Sequence, residues 1–501
     1  MKNKGQITVL FSCMISILLV FTLTAIEVGR IYCGRMKLRA VIHSAQSSIL
    51  ADYNRELFER YHLLFMDPTY GTGSSAMVEE KFCDYLKASL EGDGRLGGLY
   101  SFCVEETALS DCKTIMDDHM KQLKNQITDY EKEEGVVSKL AEAGKQMAGA
   151  SKEVLEASDK TERNAIEIPQ SEDKEDGETT DENDSDSSNG DKAENDVEDP
   201  RDKLKQMLSQ GVLVLLLPEG SEISEEKQDF SKSPSHIYPE TEEKEKDADF
   251  QDVSKLVSVL NSSAKEEDLL TKAGQKAAFT AYVMDHFSSQ GDYKDSVMHC
   301  EAEYIIKGKA CDKDNLEAVL SEIIWMRMPI NYICLIKDPE KQTEALTVAT
   351  AICSATGTMA LVEIVKYLLL GCWSYAESVY EVRQLMHGEK LPYIKTPVDW
   401  NTDLKSLSKT GENSFPDTGM SYKDYLCLML AAKESKDLTY ARMLDLIEKN
   451  LQVKDENLSV VNLCGAFTIQ GKIRQMPMLV KGGNDGAYDF YYQEEFSYDI
   501  R

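Results

Sequence analysis

The sequence predicts an α+β protein that is predominantly helical, with a long N-terminal transmembrane helix continuing into the body. Three observations predict this class. Ile7–Ile26 are twenty consecutive residues without a charge, enough for a helix to cross the roughly 30 Å hydrocarbon core of a bilayer. The second half carries apolar residues at helical spacing. Residues 458–500 alternate instead and carry Tyr and Phe, as strands do.

The N-terminal helix extends well beyond the apolar run. Leu38, Ile42, Ala45 and Ile49 recur in steps of three and four, and the stripe continues to Leu64. These steps predict one helix of about 60 residues and roughly 85 Å. Its second half must bury the stripe on the body or on neighbouring copies, because an isolated amphipathic helix gains little in water.

The N-terminal run has two other interpretations, a cleaved signal peptide and a buried soluble helix, and the second would need apolar cover on all sides. A cleaved signal peptide would also begin with lysines and an apolar stretch, but Ala25-Ile26-Glu27 leads directly into more helix. The flanking cations are nearly balanced, with two lysines before the run and four cations after it, so the positive-inside rule does not decide the orientation. We therefore predict a retained, single-pass span in the cell membrane.

Composition divides the remainder into regions. We predict an anchor and long helix at 1–66 with its span at 7–26, the first part of the body at 67–157, an acidic flexible linker at 158–252, and a helical core with a β-rich C-terminal region at 253–501. Residues 171–200 carry fourteen acids against two lysines and few apolar side chains to bury. The apolar island at 211–217 is too short to span a membrane and fits a buried strand or a small docking element.

Periodicity assigns the individual elements. The predicted helices are Met77–Leu90, the charged stretch 117–157, Val253–Leu260, Leu269–Ser288, Asn315–Leu335, Glu344–Leu370, Ser374–Met386, Tyr422–Leu430 and Tyr440–Leu451. The predicted strands are Tyr100–Leu109, Cys300–Ile306, and a C-terminal pair, Leu458–Leu479 and Tyr488–Ile500, joined by the glycine-rich turn at 481–486. Within Glu344–Leu370 a second span was weighed, but Ala345–Val362 is rich in Ala, Thr, Ser and Gly, which favours a central buried helix.

Charge and cysteine content exclude some classes. The formal net charge of −31 argues against nucleic acid, because phosphate binding requires clustered Lys and Arg. The twelve cysteines show no CxxC spacing, and most lie in apolar runs, where a thiol packs as a small hydrophobe. We expect mainly buried thiols, with Cys103–Cys112 and Cys300–Cys311 as the pairs to test for disulfides.

Few residues point to chemistry. His299, Glu301 and Glu303 would share one face of a strand, with His286 upstream as a fourth ligand, so they are the weak metal candidates. A plain polar strand face is the competing interpretation. Glu377 and Glu381 lie one helical turn apart, and either form an acid-base pair or are neutralised by Arg383 or another cation. No metalloprotease, Walker, dinucleotide or nucleophile-elbow motif is present, so we predict no catalytic residue and no cofactor.

The N-terminal segment resembles a known family. Gly5-Gln6-Ile7-Thr8-Val9, the apolar run, Ile26-Glu27-Val28-Gly29-Arg30 and Ala45-Gln46-Ser47-Ser48 resemble the start of TadE/TadG-like proteins, pilin-like components of the tight-adherence pilus and secretion machinery. The body, at Glu303–Gly308, Glu363–Leu370, Trp373–Glu377 and Lys395–Trp400, resembles an uncharacterised family of Firmicutes membrane proteins. A processed prepilin carries Glu five residues after its cleavage glycine; here that position is Leu10, so cleavage after Gly5 is not expected.

The resemblance implies a function. It implies a membrane-anchored, extracytoplasmic pilin-like or accessory component that acts by assembly, with Glu27, Leu38, Ile42 and Ile49 as assembly residues. An acid at Glu27 either pairs with a neighbouring subunit or faces lipid headgroups. The implied partners are the lipid bilayer and other subunits of the apparatus, with a homo-oligomer possible and no nucleic acid. The alternative is an envelope sensor or enzyme, such as a hydrolase, that binds a ligand or metal through the face of His299, Glu301 and Glu303.

Overall fold

The chain forms two compact units, as seen in a computed structural model that describes residues 4–91, 100–134, 199–218, 220–221, 223–237, 266–392, 395–407, 419–433, 437–479 and 486–498. Unit 1 comprises Met1–Glu134, Phe230–Pro239 and Tyr440–Arg501, and unit 2 comprises Gly135–Asp229 and Glu240–Thr439. The two ends of the chain and the short internal segment Phe230–Pro239 therefore build unit 1. The predicted class, α+β and mostly helical, is confirmed.

Unit 1 is organised around the N-terminal helix. Helix α1 spans Lys4–Leu50, and α2 spans Arg55–Tyr61 after a short turn. The predicted single helix is thus interrupted. The side chain of Asn54 accepts a hydrogen bond from the backbone N–H of Leu57 at 3.0 Å, and such a cap starts a new helix. Unit 1 continues with α3 (Ala76–Glu91), β1 (Phe102–Thr114) and α4 (Asp117–Glu134).

Three antiparallel strands form the sheet of unit 1. The strand order is β1, β2 (Cys464–Gln475), β3 (Tyr488–Ser497). Strands β2 and β3 pair from Ala466↔Ser497 to Gln475↔Tyr488, which confirms the predicted C-terminal hairpin. Strand β1 pairs with β2 although more than 300 residues separate them. A disulfide between Cys112 and Cys464 joins the same two strands, so neither predicted pair forms, and Cys103, Cys300 and Cys311 are free thiols.

The core of unit 1 lies between α1, α3 and the sheet. Leu38, Ile42 and Ile49 are fully buried and Ala45 is 1% exposed, and they pack with Phe82 and other apolar side chains of α3, β2 and β3. The predicted stripe therefore packs on the body of its own chain. Unit 1 also contains α7 (Pro234–Ile237) and most of α14 (Asp437–Gln452).

Unit 2 is helical in its described part. Its elements are α5 (Pro200–Gln210), α6 (Val212–Leu216), α8 (Glu266–His286), α9 (Glu301–Lys307), α10 (Asp312–Lys337), α11 (Pro339–Thr356), α12 (Val362–Met386) and α13 (Tyr422–Ala432). Helices α10, α11 and α12 pack together around Leu335, Ala349, Leu369 and Trp373. Helix α10 continues through Pro329. The predicted helix Glu344–Leu370 is two helices, because Gly357 ends α11 with a φ of 72°.

The strand predicted at Cys300–Ile306 is wrong, and the strand alternative for the island at 211–217 does not hold. Residues Cys300–Ile306 contain helix α9, whose residues Glu301–Ile306 are all buried; a short apolar run does not distinguish a buried strand from a buried helix. The island at 211–217 forms helix α6, which packs on α10 and α12. The structure therefore agrees with the alternative of a small docking element. Residues 199–218 belong to unit 2. The predicted helix Val253–Leu260 and the acidic segment 158–198 lie outside the described residues.

Three described helices are long and apolar enough to cross a membrane. The apolar window of α1 is fully exposed, whereas those of α10 and α12 are about half buried. The difference matters because a lipid-facing helix exposes apolar side chains all round. An N-terminal helix compatible with membrane anchoring is therefore confirmed.

Candidate functional site

The first candidate site is the junction where the exposed half of α1 meets unit 1. Glu27 is the residue directly after the charge-free run and is only 2% exposed, and Arg30 is 5% exposed. Arg30 Nη2 donates to Glu27 Oε1 at 2.6 Å, and its Nε donates to the same oxygen at 3.2 Å. The spacing of three residues brings the two side chains together on one face of the helix.

The chain after β2 completes this junction. The backbone N–H groups of Met478 and Leu479 donate to the two carboxylate oxygens of Glu27 at 3.3 Å and 3.1 Å. Arg30 Nη2 also donates to the carbonyl of Met476 at 2.7 Å. The carboxylate and the guanidinium are therefore neutralised within unit 1. Charge-assisted hydrogen bonds of this kind are the stronger class, so they clamp the end of β2 to α1.

A glycine allows the close approach between α1 and β2. A Cβ atom at Gly34 would lie 2.6 Å from the side-chain nitrogen of Gln475, which is itself 2% exposed. A larger residue at Gly34 would displace the buried side-chain amide of Gln475. One turn beyond the Glu27–Arg30 pair, the helix and the sheet are thus in direct contact.

The predicted metal ligands are not brought together. Because α9 is a helix, Glu301 and Glu303 point about 200° apart around its axis. Glu301 Oε2 accepts from the backbone N–H of Ser288 at 2.8 Å, and the ring of His299 packs edge-on against Tyr293. Among the described residues no group of three or more His, Cys, Asp or Glu side chains could hold a metal ion.

Glu303 has a different role in α9. It is fully buried, and its Oε1 accepts from the backbone N–H of Gln290 at 3.0 Å and from the hydroxyl of Tyr422 at 2.8 Å. Burial raises the pKa of Glu303 to about 7, against the opposing effect of these hydrogen bonds. Its contacts are structural, since they join α9 to α13 and to the loop before α9.

The second candidate site is a buried charge network in unit 2. Arg327 of α10 donates to both carboxylate oxygens of Glu381 at 2.9 Å and 2.8 Å. Lys395 Nζ donates to Glu377 at 2.6 Å and to Glu381 at 2.9 Å. Burial disfavours the ammonium, but Glu381 and Glu377 raise the pKa of Lys395 above its usual value. Two acids and two cations therefore balance, and the partner of these acids is not Arg383, which is exposed.

Further groups satisfy this buried charge network. Glu377 also accepts hydrogen bonds from the backbone N–H of Thr402 at 2.9 Å and from its hydroxyl at 2.7 Å. Trp373 and Trp400 donate their indole N–H groups to the carbonyl of Thr402. Glu377 is fully buried, and its two carboxylate oxygens accept from Lys395 and Thr402, so it is not placed to move a proton to a substrate. The network therefore fixes α10, α12 and the segment after α12 to one another.

The sequence did not predict most of the groups that bind Glu27, Glu377 and Glu381. Arg30 could have been found, because a cation three residues after an acid on a helix is a recognisable pair. Arg327 also gives a signal, since it stands within the apolar stretch Ile323–Ile330 of a helix. The contacts of Met476, Met478 and Leu479 use backbone atoms, which no residue type encodes.

The fold and these sites define an α+β protein with an exposed, membrane-compatible N-terminal helix and a helical unit built around a buried charge network. The chain belongs to the family of unknown function DUF5702, whose match covers residues 190–475, more than half of the chain. The predicted membership of an uncharacterised family is thereby confirmed. No TadE/TadG-like match was found, and no curated protein or solved structure matches the chain.

Proposed function

We propose that this protein is a single-pass, membrane-anchored component of a cell-envelope assembly, with both units outside the cytoplasm, and that it acts by assembly and not by catalysis. The arrangement of α1 carries the proposal. One half is charge-free and exposed on all sides, and the other half is fixed into the core of unit 1. Because both halves belong to one helix, the placement of the apolar half in a bilayer would set the position of unit 1 relative to the membrane.

The disulfide supports the extracytoplasmic location. Cys112 and Cys464 are 352 residues apart in sequence and join β1 to β2. Disulfides form and persist in oxidising compartments and are rare in the cytosol. A bridge that closes unit 1 across the inserted unit 2 is consistent with a body exported through the membrane.

The resemblance of the N-terminal segment to TadE/TadG-like proteins is our basis for proposing a particular kind of assembly. TadE/TadG-like proteins are pilin-like components of the tight-adherence pilus and secretion apparatus, and we extend that role to this chain as a pilin-like or accessory subunit. The partners would be the bilayer and other subunits of the apparatus. Because Leu38, Ile42 and Ile49 are buried in unit 1, partner contacts fall on the opposite, exposed face of α1, where Tyr32 and Met36 lie.

Membrane retention tests the anchor. Two arginines in the span, Ile15→Arg with Leu18→Arg, each cost about 3 kcal/mol for insertion, so we expect the full-length variant to leave the membrane fraction on alkaline extraction. The matched control, Leu208→Arg with Val214→Arg, places the same charges on exposed apolar positions of unit 2 and should remain in the membrane. Equal behaviour of the two variants would contradict the anchor.

Cross-linking in cells tests assembly. A photoreactive amino acid in place of Met36 should give adducts with membrane-bound pilus or secretion subunits, identified by mass spectrometry. The same group in place of Ile42, which is buried, should give none. Only monomer from both positions, in cells that build the apparatus, would contradict the assembly role.

A further inference from the structure

The end of the β2–β3 hairpin is held at the level where the apolar half of α1 ends. Glu27, one residue past the charge-free run, binds the backbone of Met478 and Leu479, and Arg30 binds the carbonyl of Met476. If Ile7–Ile26 cross a bilayer, these three hairpin residues lie within a few ångströms of its hydrocarbon boundary.

The sheet runs alongside the second half of α1. Arg30 contacts Met476 at one end, and the carbonyl of Leu50 accepts from the hydroxyl of Tyr498 at 2.9 Å at the other. The two helix residues are twenty positions apart, about 30 Å. Strand β3 begins at Tyr488, opposite the end of β2, and ten residues of strand to Tyr498 span about 33 Å. The matching lengths show that the hairpin end points toward the apolar half of α1.

Three residues directly after β2 are also apolar and exposed. Met476, Met478 and Leu479 are 44%, 59% and 40% exposed. On α1 at the same level, Val28 and Tyr32 are exposed as well. Exposed apolar residues clustered in this way mark an interaction surface, whereas single exposed residues elsewhere on unit 1 do not.

The residues just beyond this cluster carry charge. Arg35 and Arg39 are exposed on α1, two and three turns past Glu27. Tyrosine is enriched at the membrane–water interface, and Tyr32 lies on α1 between the span and these two arginines.

We propose that the segment directly after β2 is a second membrane-contact surface, in which Met476, Met478 and Leu479 lie in the interface of the bilayer that α1 crosses. This inference rests on the proposed anchor. The contact fixes the tilt of unit 1, because α1 alone would allow the body to swing about the membrane. The neutralised Glu27–Arg30 pair lets the hairpin end sit at that depth without an unpaired charge.

Depth-dependent quenching tests this surface. The full-length protein is placed in nanodiscs of phosphatidylcholine with or without spin-labelled lipid, with an environment-sensitive fluorescent amino acid in place of Met478, Leu18 or Val453. Val453 is exposed and next to Lys454, which pairs with Glu56 at 2.6 Å. Glu56 follows the end of α1 at Leu50, and that end lies about 35 Å along the helix from Glu27.

The three positions separate the outcomes. We expect strong quenching at Leu18, quenching at Met478 by lipid labelled near the headgroup, and none at Val453. Quenching at Leu18 with Met478 behaving like Val453 would overturn the second contact and leave the anchor standing. Absence of quenching at Leu18 would overturn the anchor and, with it, the contact that depends on it.

Discussion

Removal of Lys395 should destabilise unit 2 specifically. Lys395 is the only described cation that contacts both Glu377 and Glu381, and its side chain is fully buried. Lys395→Met keeps most of the volume but leaves the network with one uncompensated negative charge. Breaking a buried pair from one side costs about 3 to 5 kcal/mol.

The geometry places the cost at the lower end of that range. Arg327 still binds both oxygens of Glu381, and Glu377 retains its hydrogen bonds from Thr402. We therefore expect a loss of about 3 kcal/mol in the free energy of unfolding of unit 2, which is on the order of a hundredfold in the folding equilibrium.

Intrinsic fluorescence measures this loss directly. The chain has three tryptophans, Trp325, Trp373 and Trp400, and all of them lie in unit 2. Denaturant titration followed at the tryptophan emission thus reports unit 2 alone. Lys390→Met removes a neighbouring but exposed cation and should change the free energy by less than about 0.5 kcal/mol.

A charge-neutral double variant separates electrostatics from packing. Lys395→Met combined with Glu381→Gln removes one charge of each sign, so the loss should be smaller than the sum of the two single losses. A wild-type midpoint for Lys395→Met would refute the argument that the network fixes unit 2. A strictly additive double variant would show that charge balance is not the reason.

Three further predictions concern other parts of the fold. The pKa of Glu303 is raised from 4.5 to about 7 in the folded state. The contribution of Glu303 to the free energy of unfolding is therefore greatest below pH 4.5 and falls by about 3 kcal/mol as pH rises through 7. Glu303→Gln should flatten this pH dependence of stability between pH 5 and pH 8 in tryptophan-monitored titrations. Cys464→Ser should lower the stability of unit 1 by about 2 to 4 kcal/mol, read from hydrogen exchange in β1, and a cross-linked peptide with Cys112 should be absent. Gly34→Leu should increase exchange at the end of β2, whereas Gly29→Leu, on the open face, should not.

The sequence predicted elements whose signal is local. The charge-free run predicted the exposed half of α1, the stripe with Leu38 and Ile49 predicted its buried half, and the glycine-rich turn predicted the hairpin. In each case the residues that decide the structure lie within about 20 positions of one another. Periodicity and turn chemistry act over that range.

Features that depend on distant contacts were not predictable. The disulfide partner of Cys112 lies 352 residues away, and spacing alone does not fix connectivity. Helix α9 was predicted as a strand because the run around Ala302 is too short to show a period. Glu27 accepts hydrogen bonds from backbone N–H groups after β2, and such groups carry no sequence signature. Lys395 comes close to Glu377 and Glu381 only through the fold of unit 2.

Sidedness tests the central claim most directly. An azide-bearing amino acid in place of Val453, an exposed residue of unit 1, is reacted with a membrane-impermeant cyclooctyne on intact cells and, in parallel, after lysis. A body anchored by α1 outside the cytoplasm predicts full labelling on intact cells, with no further labelling after lysis. Labelling only after lysis would place unit 1 inside and contradict the account.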